Sequence, residues 1–319
     1  MKRNNINLTG FYEADYLINN DAASNYKANN KSFIDNVRAT FKHPFKFTIM
    51  DLAIAGLFLA LYSVAYSILY YTGLSKFTGV EIIFFIFFGV LLGPFKGAFV
   101  AIIADTIGLL ISGQIGTWYI LYAIWPPIIA FISSIYFAFF RASTYCKIVV
   151  PFVIIIASAF IMYHVFATYV VKNDAGTINI NIAISKRNRD FWNSIPYVLV
   201  LSCLIIYLAL MLVFAISAMI IYFVKKNLKI LDYLLALGLI TFVMVIYRWI
   251  FGPIILVKYY NYFFNRNYSL NDQYLVFAIP IIIKSMYNIP LYTVLFGAIY
   301  SIVIILQEKH INNRNDIHY

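Results

Sequence analysis

From residue 48 to residue 306 the chain is a succession of apolar runs separated by short polar or Gly/Pro-bearing breaks. The runs cover about 48–72, 80–93, 95–112, 118–140, 148–171, 195–224, 230–257 and 275–306. A bilayer core about 30 Å thick is crossed by roughly 20 helical residues, and a helix satisfies its own backbone groups there. The pattern therefore predicts an all-α fold, a polytopic membrane helical bundle of about eight spans. The second and third runs are short and joined only by Gly93-Pro94, so 80–112 reads either as two tilted spans or as a re-entrant hairpin. Residues 1–47 read as a polar N-terminal tail, 48–306 as the transmembrane domain and 307–319 as a C-terminal tail.

Composition agrees with the pattern. Apolar residues make up 63% of the 319 and charged residues 12%, and the mean hydropathy is +0.81, outside the range of soluble domains. The formal charge of +11 would suit a nucleic-acid partner, but the basic residues are scattered at the ends of apolar runs. Membrane orientation accounts for them better, and no nucleic acid is expected. In the eight-span reading fifteen of the 24 Lys and Arg lie on the side of the N-terminus, seven of them in the tail, and seven lie on the opposite side. That bias predicts a cytoplasmic N-terminus and C-terminus. The abundance of Ile, Asn, Lys, Tyr and Phe suggests an AT-rich bacterial genome, hence a multi-pass protein of a bacterial cell membrane. The first 47 residues lack the apolar core and cleavage site of a signal peptide. Cys146 and Cys203 have no metal-ligand spacing, and no disulfide is expected.

The remaining two cations, Arg248 and Lys284, fall inside apolar runs, as does Asp105. Ionisable groups at membrane depth are costly and usually face a cavity or one another. Counted from the outer ends of their runs at about 1.5 Å per residue, all three lie roughly 10–14 Å below the outer surface. Three charges on three helices are thus expected at one level. Two cations against one anion would leave a positive pocket for an anionic ligand. The alternative is an ion pair of Asp105 with Arg248 or Lys284 that only ties the bundle.

Tyr287, Asn288 and Trp249 surround these groups in sequence. Lys284 and Asn288 are four apart and share a helix face, with Tyr287 close by, so a polar anchor with an aromatic wall is expected. Glu81 begins its run near the outer face, where water can reach it, Asp51 and Asp232 read as solvated helix starts, and His164 as a hydrogen-bonded packing residue. The first run carries Gly56 and Ala60, a small-x-x-x-small pair that lets another helix approach closely and would form a partner-docking face. No zinc-type His pair, Gly-x-Ser-x-Gly or phosphate-cradling Gly-Lys-Ser loop is present. Neither an enzyme nor a cofactor is expected.

The small-residue first helix, then Gly89-x-x-x-Gly93-Pro94-x-x-Gly97-Ala98, then Ala104-Asp105-x-x-Gly108, resembles the substrate-capture (S) subunits of energy-coupling factor (ECF) vitamin transporters. The stretch Ile282-Ile283-Lys284-Ser285-Met286-Tyr287-Asn288-Ile289-Pro290-Leu291 is similar to the last helix of folate-type members. The resemblance covers roughly 48–140 and 230–306. It implies a membrane protein that binds a vitamin from outside with high affinity. Such a protein joins a scaffold membrane subunit and two cytoplasmic ATPases, then topples to release its cargo. Usual members have six helices, so the runs within about 148–224 read as an inserted pair, and the N-terminal tail is unusually long. On this resemblance folate is the expected vitamin, held by Arg248 and Lys284 at its carboxylates and by Asp105 or Asn288 at its pterin edge. Two other functions fit the same residues. One is a structural or assembly membrane protein in which the charges are bundle ties. The other is a membrane enzyme acting on lipid head groups, with Asp105 as base and the cations as phosphate clamps.

Overall fold

The computed structural model describes residues 45, 47–76, 78–140, 144–169, 171–172, 178–179, 197–226 and 228–315. The described chain is helical almost throughout. Its helices are α1 (Ile49–Tyr71), α2 (Glu81–Leu92), α3 (Pro94–Ile111), α4 (Ile120–Ala123), α5 (Trp125–Phe140), α6 (Thr144–Tyr169), α7 (Tyr197–Lys225), α8 (Leu228–Val243), α9 (Gly252–Phe264) and α10 (Leu270–Asn315). A π-helical stretch, Met244–Phe251, joins α8 to α9 without a break. Val171–Lys172 and Ile178–Asn179 form a two-residue antiparallel pair.

Among the described residues, six helical stretches are long and apolar enough to cross a membrane, including Ile49–Tyr71, Pro94–Ile111 and Val276–Tyr300. The expected helical bundle is therefore present. Of the eight expected spans, 80–93 becomes a helix of 12 residues. At about 1.5 Å per residue it measures roughly 18 Å, too short for a 30 Å core. Within the first run of the expected inserted pair, 148–171, α6 contributes only the shorter apolar stretch Tyr145–Ile161. Most of the N-terminal tail and the basic cluster Lys186-Arg187-Asn188-Arg189 lie outside the described residues. The C-terminal segment continues α10 as far as Asn315.

Close backbone approach organises the first half. Gly93 turns the chain between α2 and α3 at φ +86°, a left-handed conformation that glycine adopts without steric cost, and Pro94 supplies the first residue of α3. A Cβ on Gly89 would overlap the backbone carbonyl of Ala130 in α5, and one on Gly97 would overlap that of Phe88. The two glycines thus let α2, α3 and α5 pack together, and α1 lies against α2 and α3. A second group comprises α8, α9 and α10, and α6 and α7 lie against α8. The groups meet where Phe87 of α2 stacks on Phe296 of α10 at 4.7 Å, with Phe137 of α5 against the same ring at 5.5 Å. All three rings are fully buried.

Two ion pairs correct the reading of Asp51 and Asp232 as solvated helix starts. Asp51 caps α1 reciprocally with Thr48, and its Oδ2 also accepts from Lys96 Nζ at 2.6 Å. Asp232 Oδ1 accepts from Lys147 Nζ at 2.9 Å in a pocket closed to solvent. Both carboxylates begin their helices in sequence, but the chain brings a lysine from another helix onto each. His164, expected as a packing residue, is exposed.

Candidate functional site

The hairpin α2–α3 sets the height of two carboxylates. Glu81 lies twelve residues before Gly93 and Asp105 twelve after it, so both stand roughly 18 Å from the turn at about 1.5 Å per residue. α1 ends at Tyr71 and α2 begins at Glu81, with one 3-10 turn, Leu74–Lys76, between them. Gly108 shares a helix face with Asp105, and a Cβ there would come 2.6 Å from the Tyr62 hydroxyl. Its bare backbone admits Tyr62 from α1.

The guanidinium that joins them comes from the π-helical stretch. Wide turns of this kind are rare and frequent at functional sites, because they displace side chains from α-helical register. The cause lies just downstream. Pro253 has no N–H to give the carbonyl of Trp249, four residues back. The Tyr274 hydroxyl from α10 donates to that carbonyl instead, at 2.8 Å. In this stretch Arg248 Nη2 lies 3.7 Å from Glu81 Oε2, and its guanidinium lies 5.3 Å from the centre of the Tyr247 ring. Gly79 makes room for the pair, since a Cβ there would meet both side chains.

Glu81, Asp105 and Arg248 line a cavity of about 410 Å³. Its walls are aromatic: Tyr62, Tyr66, Trp118, Tyr122, Tyr247 and Tyr259. A cavity in which aromatic rings stand beside convergent charged and polar groups can hold a small molecule with a flat ring. Asp105 has no ion pair and no hydrogen bond among the described residues. A smaller cavity of about 210 Å³ lies beyond Glu81, Ile82 and Arg248, which line both spaces. Lys284, Asn288, Ser285 and Tyr292 line the smaller one.

The expected convergence of Asp105, Arg248 and Lys284 thus takes a divided form. Arg248 touches both cavities, Asp105 lines the first and Lys284 the second. Neither expected pair, Asp105 with Arg248 or with Lys284, is formed. Arg248 pairs instead with Glu81, whose side chain keeps some contact with solvent. The surplus of positive charge is corrected accordingly, because the group holds two carboxylates and two cations.

Two further expectations fail. Trp249 lines neither cavity. It is 3% exposed, and its Nε1 donates to Ser285 Oγ at 2.9 Å, a packing tie between the π-helix and α10. Tyr287 is 44% exposed on the flank of α10, outside both cavities. Lys284 and Asn288 do share a face, as their spacing predicts. Gly56 and Ala60 are exposed on α1, and a Cβ on Gly56 would meet nothing within 4 Å.

Glu81 was the main omission, although its signal was present in the sequence as the equal spacing of Glu81 and Asp105 about Gly93. No family model, curated protein or solved structure matches the chain.

Proposed function

We propose that this protein captures a vitamin from outside the cell and hands it to an ATP-driven transporter of the energy-coupling factor type. The observation that carries this reading is Asp105, a carboxylate at membrane depth without a partner among the described residues, in an aromatic-walled cavity of about 410 Å³. An ion pair that only tied helices together would leave no such acid free, since an unpaired buried charge is costly. A ligand bringing N–H donors would complete it.

The charges also indicate which part of a vitamin enters. The larger cavity holds Asp105, Glu81 and Arg248, formally one negative charge. It favours a flat ring with a cationic or amino-bearing edge, which the aromatic walls would stack upon. Folate fits through the 2-amino edge of its pterin, donating to Asp105 and Glu81. Its carboxylates find only Arg248 in this cavity. Equilibrium dialysis of the purified protein against folate, thiamine, riboflavin and pantothenate tests the reading. We expect binding of an amino-bearing ring, weakened roughly tenfold to a hundredfold by Asp105→Asn, the loss of about 1.5–3 kcal/mol for a hydrogen bond to a charged group. Absence of binding to every member of the panel defeats it.

Delivery requires a docking face, and α1 offers one. Gly56 and Ala60 lie on its exposed side beside Leu52 and Leu57. A Gly56→Leu side chain enters open space, so the bundle should keep its melting temperature within about 2 °C of the unsubstituted chain's. The scaffold subunit and ATPases expected to co-purify with the unsubstituted chain should be lost. Equal recovery of those subunits with Gly56→Leu would show that docking occurs elsewhere.

A further inference from the structure

We propose that the smaller cavity is a second binding site, taking a phosphate group that enters beside α10. Its inner groups are already committed. Ser285 Oγ donates to the Ile281 carbonyl at 2.8 Å and accepts from Trp249, and the Tyr292 hydroxyl donates to the Gly79 carbonyl. Glu81 faces Arg248. Three groups keep capacity for a ligand: the Lys284 ammonium, the outer N–H groups of Arg248 and the side-chain oxygen of Asn288.

Asn288 is the informative one. It is 5% exposed, it lines the cavity, and its Oδ1 has no hydrogen-bond partner. A buried amide oxygen without a donor is costly, so the cavity calls for a guest that brings one. Lys284 has no carboxylate or acceptor in contact among the described residues. With Glu81 and Arg248 offsetting each other, its ammonium gives the cavity a net positive charge. The guest is therefore an anion with an adjacent O–H or N–H donor. A phosphate ester beside a hydroxyl or ammonium meets both requirements, and Arg and Lys together are suited to it.

The mouth indicates the route. Lys284 is exposed, and its exposed neighbours on α10 are Ile283, Tyr287 and Leu291, an apolar flank suited to lipid. A phospholipid headgroup can reach the cavity from that flank, and a soluble phosphate ester is the other source of the same chemistry. The vitamin reading rests on Asp105 in the larger cavity; the two cavities share Glu81, Ile82 and Arg248, whereas Lys284 and Asn288 line the smaller one alone.

The full-length chain reconstituted in nanodiscs of phosphatidylglycerol or of phosphatidylcholine, then released into mild detergent, reports retained lipid by native mass spectrometry. In parallel, delipidated protein is titrated with inorganic phosphate or glycerol 3-phosphate and followed by thermal shift. The side chain at 284 is exposed, so Lys284→Gln preserves the fold, and Lys284→Arg serves as the conservative rescue. We expect one phosphatidylglycerol retained per chain, reduced several-fold in Lys284→Gln and restored in Lys284→Arg. If only the soluble phosphates stabilise the protein, and do so through Lys284, the site is one for a free phosphate ester. Retention indifferent to Lys284→Gln, together with no Lys284-dependent shift by either phosphate, overturns the proposal and leaves Lys284 as a lysine that merely extends to the interface. Vitamin dialysis on the same Lys284→Gln sample keeps the two readings apart.

Discussion

Asp232→Ala will destabilise the bundle by about 3–5 kcal/mol, the cost of breaking a buried ion pair by removing one partner. The side chain of Lys147 is 1% exposed and that of Asp232 10% exposed, with 2.9 Å between Nζ and Oδ1. Water cannot replace the lost carboxylate without opening α6 away from α8, the two helices the pair joins. The double variant Lys147→Met/Asp232→Leu should recover most of the loss, because two apolar side chains of similar size need no compensating charge. Unfolding in detergent, followed by denaturant titration of the single and double variants, measures both. A single variant within about 1 kcal/mol of the unsubstituted chain would mean the site admits water and the pair holds nothing together.

The contrast with the cavity pair gives this result a functional side. Lys96–Asp51 and Lys147–Asp232 are hydrogen-bonded at 2.6 and 2.9 Å. Glu81–Arg248 is open at 3.7 Å, and its side chains are 29% and 35% exposed. An exposed, loosely held pair contributes little to stability, so these groups are free to turn toward a guest. The tight pairs lie at the starts of α1, α3, α6 and α8, and the loose one lies at the cavities. Rigid ties and adaptable charges are thus separated along the helices.

Much of this was legible in the sequence, for physical reasons that differ by residue. The apolar runs mark the helices because a bilayer permits few alternatives. Asp105, Arg248 and Lys284 stand out because a charge within an apolar run needs a reason. Glu81, Asp51 and Asp232 sit at the starts of runs, where a solvated helix end is the ordinary explanation. Their partners, Arg248, Lys96 and Lys147, come from other helices, so only the fold reveals the pairing. Trp249 and Tyr287 were misplaced for a different reason. The first lies in a π-helical stretch, where α-helical spacing no longer says which side chains share a face. The second is three residues from Lys284, near enough to share its flank but not its cavity.

Gly89→Val should leave little or no folded protein. A Cβ at this position overlaps the carbonyl of Ala130, which is backbone in the middle of α5 and cannot rotate away. Inserting methylenes into a packed core typically costs about 1–3 kcal/mol when side chains can adjust. Here α2 and α5 must separate, so the cost exceeds that range and approaches the 5–15 kcal/mol that holds a typical domain together. Gly89→Ala carries the same clash with less bulk and should express at reduced yield, with a lower melting temperature. Gly56→Ala is the matched control, since a Cβ there meets nothing within 4 Å and alanine favours the helix by up to about 1 kcal/mol over glycine. The effect on the site follows from the same geometry. Glu81 lies eight residues before Gly89 on α2, and displacement of that helix carries Glu81 away from Arg248 and Asp105. Size-exclusion profiles of detergent extracts give the yields, and dialysis on whatever Gly89→Ala protein survives gives the binding. Wild-type yield and stability for Gly89→Val would mean that α2 and α5 are not in close contact. The common height of Glu81 and Asp105 would then have some other cause.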